Sequence, residues 1–63
     1  MGRNVEMDME AAEMWFRKAA EQGEPYAQLR LGEIIERKDP EQAQKWFRAA
    51  ASQGESRAKE KVK

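Results

Sequence analysis

The sequence predicts an all-α protein built from antiparallel helix–turn–helix repeats, three helices with a short fourth. Three observations carry this reading. The stretch WFRKAAEQGE at residues 15–24 returns as WFRAAASQGE at residues 46–55, a spacing of 31. Apolar residues fall three and four apart, as Ala12, Phe16 and Ala19 and again as Ala43, Phe47 and Ala50, which marks one face of a helix. Pro25 and Pro40 stand where helices start, and Gly23 and Gly54 where they end.

The repeat is wider than the decapeptide. Offset by 31, residues 8–27 and 39–58 agree at twelve of twenty positions: 8, 10, 12, 15, 16, 17, 19, 20, 22, 23, 24 and 27 in the first copy. Self-similarity at a fixed period signals stacked supersecondary units. The first copy predicts a helix near residues 9–22, capped by Asp8 and stopped by Gly23. The segment EPYAQLRLGEIIERK follows, opened by Pro25 and striped by Ala27, Leu31, Ile34 and Ile35. It predicts a second helix near residues 25–37. Asp39 is then an N-cap, Pro40 takes the first helical position and Gln42 can close a capping box. That predicts a third helix near residues 40–53, ended by Gly54, with a fourth from residue 56. The short loops between them make neighbouring helices antiparallel.

Glu13–Arg17, Glu33–Arg37 and Glu41–Lys45 are i, i+4 pairs, each worth only a few tenths of a kcal/mol. Gly32 lies inside a helix, where it costs about 1 kcal/mol relative to Ala. A packing reason is expected for it: with no side chain there, a neighbouring helix comes close. Ala12, Ala19, Ala43 and Ala50 fit the same picture.

Sixty-three residues make a single domain. A chain this short buries only about 60% of its unfolded surface, so its stability is marginal without a staple. Cys and His are absent, which removes disulfides and thiolate or imidazole metal sites and leaves oligomerisation or a longer array. Twelve acidic and twelve basic residues cancel, so no net charge draws the chain to nucleic acid or an anionic membrane. The charged tail SRAKEKVK reads as a solvated terminal helix with cations near its C-terminal end. No apolar run approaches the roughly 20 residues that cross a bilayer. Residues 1–9 lack the apolar stretch of a signal peptide, which implies the cytoplasm if the chain is complete.

Catalysis has few candidate groups here. Ser52 and Ser56 flank a helix end, which suits capping, and Glu10, Glu13, Glu33, Glu36 and Glu41 alternate with Lys and Arg as on a solvated face. No glycine-rich phosphate loop is present. The sequence therefore predicts no enzyme, cofactor or metal. Trp15 and Trp46, each beside a Phe at helical spacing, read as contacts of the core or between repeats.

Residues 10–32 resemble the Sel-like repeat, a relative of the tetratricopeptide repeat. The likeness rests on Trp15-Phe16-Arg17-Lys18-Ala19-Ala20-Glu21-Gln22-Gly23 and on Ala27-Gln28-Leu29-Arg30-Leu31-Gly32. Residues 2–8 are similar to the loop that precedes this helix in the family, with Asn4 in a glycine's place. The link IIERKDPEQA is shorter than the family's usual loop, and Glu24 and Glu55 stand where Asp, a better N-cap, is common. The resemblance implies an α-solenoid with one complete helix pair, about 25–53, flanked by half repeats at about 9–22 and 56–63.

Two functional readings follow. One is a non-catalytic scaffold or adaptor that binds a protein or peptide on the concave surface of its first helices. By likeness to the tetratricopeptide pattern that surface holds Tyr26, Leu29, Glu33, Glu36 and Arg37, joined by Arg57 and Glu60. The other is self-assembly, as a dimer, a domain swap or a filament, in which unfinished half repeats complete each other. Its seam is the Ala12, Phe16 and Ala19 face, expected to lie bare, together with Trp46. A small inhibitor of another protein is a lesser alternative, and fold alone names no partner.

Overall fold

A computed structural model describes residues 9–62. It holds four α-helices: α1 (Met9–Glu21), α2 (Pro25–Ile35), α3 (Pro40–Ser52) and α4 (Ser56–Lys61). Consecutive helices pack on one another, α1 on α2, α2 on α3 and α3 on α4. Asp8, expected to cap α1, lies outside the described residues, as do the loop residues before it and Lys63.

The two glycine exits are the same turn made twice. Gly23 and Gly54 both take φ +94°, a left-handed conformation that side chains rarely adopt. After α1, the Gly23 N–H donates to the Ala20 carbonyl (2.9 Å) and the Glu24 N–H to the Ala19 carbonyl (3.2 Å). After α3, Gly54 donates to Ala51 (2.9 Å) and Glu55 to Ala50 (3.1 Å). These paired bonds are the Schellman motif, and they satisfy carbonyls that the helix end leaves open.

α2 ends at Ile35, two residues before the expected boundary. The N–H groups of Lys38 and Asp39 both return to the Ile35 carbonyl, at 3.1 and 2.8 Å, which closes the turn early. Pro40 also excludes Asp39 from helical geometry. The Asp39 carboxylate then accepts the Gln42 N–H (3.1 Å), half of the expected capping box, while the Asp39 N–H is already taken by Ile35. Of the two weak caps, Glu24 makes no side-chain bond to its helix, but Glu55 accepts the Arg57 N–H (3.0 Å).

The core is small and rich in alanine. Phe47, Leu29 and Leu31 are its largest fully buried side chains, and Ala20, Ala27, Ala43, Ala50 and Ala58 fill the space between helices. Such short side chains let backbones approach, and Gly32 carries this furthest. A Cβ at Gly32 would stand 2.5 Å from Phe47 Cε1 and 2.8 Å from Cδ1. The ring of α3 therefore lies directly on the α2 backbone, which gives the mid-helix glycine the packing reason expected of it.

Gln28 is the buried polar residue of this core. Its amide nitrogen donates to the Ala20 carbonyl at the end of α1 (3.2 Å), and its amide oxygen accepts from Gln53 at the end of α3 (3.1 Å). One side chain on α2 thus bridges both exit turns, in a setting where an unpaired amide would cost about 1–3 kcal/mol.

Two stability effects follow. Gly32→Ala gains about 1 kcal/mol of helix propensity, yet its methyl meets a ring that is fully enclosed. Overpacking of this kind costs about 1–3 kcal/mol, so the variant should unfold at lower urea despite the better helix former. Gln28→Leu should lower stability by about 1–3 kcal/mol, because it removes two hydrogen bonds, each worth about 0.5–1.5 kcal/mol net, that tie the ends of α1 and α3 to α2. Urea titration followed by far-ultraviolet circular dichroism reads both.

Candidate interaction surface

The outward stripe of α2 is set by helical spacing. Tyr26, Arg30 and Glu33 follow at i, i+4 and i+7, which keeps them on one side, and Arg37 lies exposed in the turn just past α2. The other sides of α2 face the core, where Ala27, Gln28, Leu31 and Ile35 are buried. Tyr26 is 53% exposed. Its ring meets Phe16 of α1 edge to face, with centroids 6.4 Å apart at 71°. The Arg30 guanidinium carbon sits 6.0 Å from the centroid of the same ring.

Glu33 gathers two cations. Arg30 reaches it at 2.8 Å along the same helix, and Lys61 of α4 at 3.7 Å across the groove. The expected Glu33–Arg37 pair does not form, since α2 ends at Ile35 before the helical i+4 position is reached, and Glu41 and Lys45 do not pair among the described residues. Lys61 is itself fixed. Its ammonium lies 5.7 Å from the centre of the Phe47 ring, and its carbonyl accepts from the Gln44 amide (2.9 Å).

The sequence-derived surface set divides. Tyr26, Arg37, Arg57 and Glu60 are exposed, and Glu33 and Glu36 are half-buried. Leu29 is not on the surface: its exposure is 0%. It lies three residues before Gly32 on the face that meets Phe47, so the tight α2–α3 approach encloses it. Arg30 and Lys61 belong to the stripe but were not among the expected residues. The signal was present, since Arg30 lies four residues from Tyr26 and Lys61 is its counterpart 31 residues on.

The residues expected to form a bare seam are partly covered. Ala12, Phe16 and Ala19 are half-buried rather than bare, because that face of α1 turns toward α2. Trp46 is half-buried against the core, with its indole N–H enclosed and unpartnered. The exposed large apolar residues of α1 are Met14 (65% exposed) and Trp15 (75%), so of the two expected roles of Trp15, in the core or between repeats, it does not fill the first.

A polar cleft of about 290 Å³ lies between α1 and the α2–α3 turn, lined by Glu13, Arg17, Ile35, Lys38, Asp39 and Gln42. Glu13 accepts from Lys38 at 2.9 Å and from Arg17 at 3.0 Å. These hydrogen bonds, Lys38 first and Arg17 second, hold its carboxyl below the ordinary value of 4.5, outweighing the opposing effect of burial. The cleft ties α1 to the turn with an ion-pair network. Among the described residues no three His, Cys, Asp or Glu side chains come together as a metal site would need, and no helix is long and apolar enough to cross a membrane.

The Sel1 repeat family model matches residues 1–24 and 25–55, and the second match spans α2 and α3. The chain belongs to the Sel1 repeat family. Repeats of this family generally mediate protein–protein interaction and are typically non-catalytic. Searches of curated proteins and of solved structures returned no match.

The Glu13 network sets an acid response. A carboxylate whose folded pKa is depressed contributes stability above its unfolded value, and loses it as pH falls through the folded one. The chain should therefore lose stability as pH drops below 4.5. Glu13→Gln should be less stable than the parent at about pH 7, and the gap between them should narrow on acidification. Urea midpoints at a series of pH values read this directly.

Proposed function

We propose that this Sel1 repeat chain is a non-catalytic interaction module that holds a segment of a partner protein along the α2 stripe and its continuation on α4. The observation that carries the reading is the organisation of the stripe. Tyr26 contacts both Phe16 and Arg30 while more than half exposed, so an ordered aromatic ring is offered to a partner with little ordering cost.

Charge defines the partner further. The surface carries Arg30 on α2, Arg37 just past its end, and Arg57 and Lys61 on α4, against Glu33, Glu36 and Glu60, of which Glu33 already pairs with Arg30 and Lys61. Arg37 and Arg57 are exposed. The surface suits a segment that places an apolar or aromatic side chain on Tyr26 and a carboxylate toward Arg37 or Arg57. Leu29 has no part in it, since the core encloses it.

Panning a random peptide library against the folded chain should select sequences that combine Asp or Glu with an apolar residue. The double variant Tyr26→Ala/Arg37→Glu should bind them at least about tenfold more weakly, a loss of roughly 1.4 kcal/mol, with helicity unchanged. Selected peptides that bind the double variant as tightly as the parent would remove the stripe as the site.

A further inference from the structure

The outer face of α1 carries a second surface. Ala11, Met14, Trp15 and Lys18, at i, i+3, i+4 and i+7, line a shallow groove of about 280 Å³. The internal repeat supplies its own control for this face. The counterparts of Ala11 and Met14 on α3 are Gln42 and Lys45, 31 residues on. Both are exposed, although α3 is flanked by α2 on one side and α4 on the other. Stacking within the repeat array therefore leaves these positions open, and α3 fills them with polar residues. α1 fills the same positions with Ala and Met, beside a Trp that is 75% exposed. The apolar character of positions 11 and 14 is specific to α1, whereas the Trp recurs: its counterpart Trp46 is half-buried against the core while Trp15 stays exposed.

We infer that this face binds a second copy of the chain, α1 against α1 in antiparallel orientation, as a two-fold dimer. The stripe is self-complementary about an axis between Met14 and Trp15. Antiparallel pairing then sets each Met14 against the partner copy's indole, and each Lys18 over the other Ala11. The charges agree with this direction. α1 has its acidic residue, Glu10, in the first turn and its basic residue, Lys18, in the last. Antiparallel pairing brings each Lys18 toward the other copy's Glu10 and sets the two helix dipoles in opposition. Parallel pairing would place like charges side by side. A contact of this kind is isologous, so it closes at two copies.

The interface is small. The two indoles supply roughly 300–400 Å², and a face of one short helix stays below the roughly 1,200 Å² of stable complexes. The dimer is accordingly weak and depends on concentration.

Sedimentation equilibrium of the full chain over about 1–500 μM tests this. The mass should rise from monomer toward dimer and no further. Met14→Lys, which copies what α3 carries at this position, should weaken association at least about tenfold with circular dichroism unchanged. Lys18→Glu should weaken it too, and Glu10→Lys/Lys18→Glu should restore it, because the pair is exchanged across the axis. A monomer at every concentration, a species larger than a dimer, or association indifferent to Met14→Lys would each overturn the inference. The same holds if the double charge exchange fails to restore what the single change removed.

Discussion

The contact between the Phe47 ring and the bare backbone at Gly32 places the other parts of this molecule. An α-helix normally holds its neighbour off by the thickness of two side chains. Here one of those layers is missing at the crossing point, and α2 settles onto α3. Leu29, on the same side of α2 as Gly32, is enclosed by that approach. With α2 fixed, Gln28 lies within reach of both Ala20 and Gln53, and Glu33 within reach of Lys61. The exposed stripe is what remains of α2 once these contacts have used its other sides. In this sense the proposed interaction surface is a by-product of one glycine and one phenylalanine.

α1 is attached by different means. Its Phe16, the counterpart of Phe47, meets the Tyr26 ring at its edge instead of a glycine backbone. The Gln28 bond to Ala20 and the Lys38 bond to Glu13 hold the two ends of α1 by polar links. α4 has six residues and is held by Ala58 in the core and by Lys61 reaching α2. In a stack of repeats each unit gains most of its stability from its neighbours, so outer helices open before inner ones. The pair α2–α3 is the stable centre, and the surface proposed for partners straddles that centre and a less stable end.

Periodicity made the helices legible because the signals were local. Pro25, Pro40, Gly23 and Gly54 fix starts and stops through their own backbone chemistry, and the structure agrees to within a residue or two. The close-packing role of Gly32 was legible for the same reason, since a mid-helix glycine is anomalous unless something approaches it. Leu29 was misplaced because face assignment by analogy fixes rotation only coarsely. One residue's step turns a helix by about 100°, and the edge of a stripe belongs to whichever neighbour closes on it. No local pattern singles out Met14, since a lone apolar residue within a charged helix is ordinary. Only the exposure of both Met14 and its counterpart Lys45 sets it apart. The rearranged partners of Glu33 depend on α4 standing across from α2, which no local pattern encodes.

The duplicated exit turn has a geometric consequence. Gly23 and Gly54 share one dihedral value, φ +94°, and one pair of closing bonds. Each exit turn therefore launches the following helix from the same local backbone geometry. Cut between Glu24 and Pro25, a unit of 31 residues begins and ends on that geometry. A further copy placed at that joint would meet the turn it needs, so the turn itself sets no limit on the number of units.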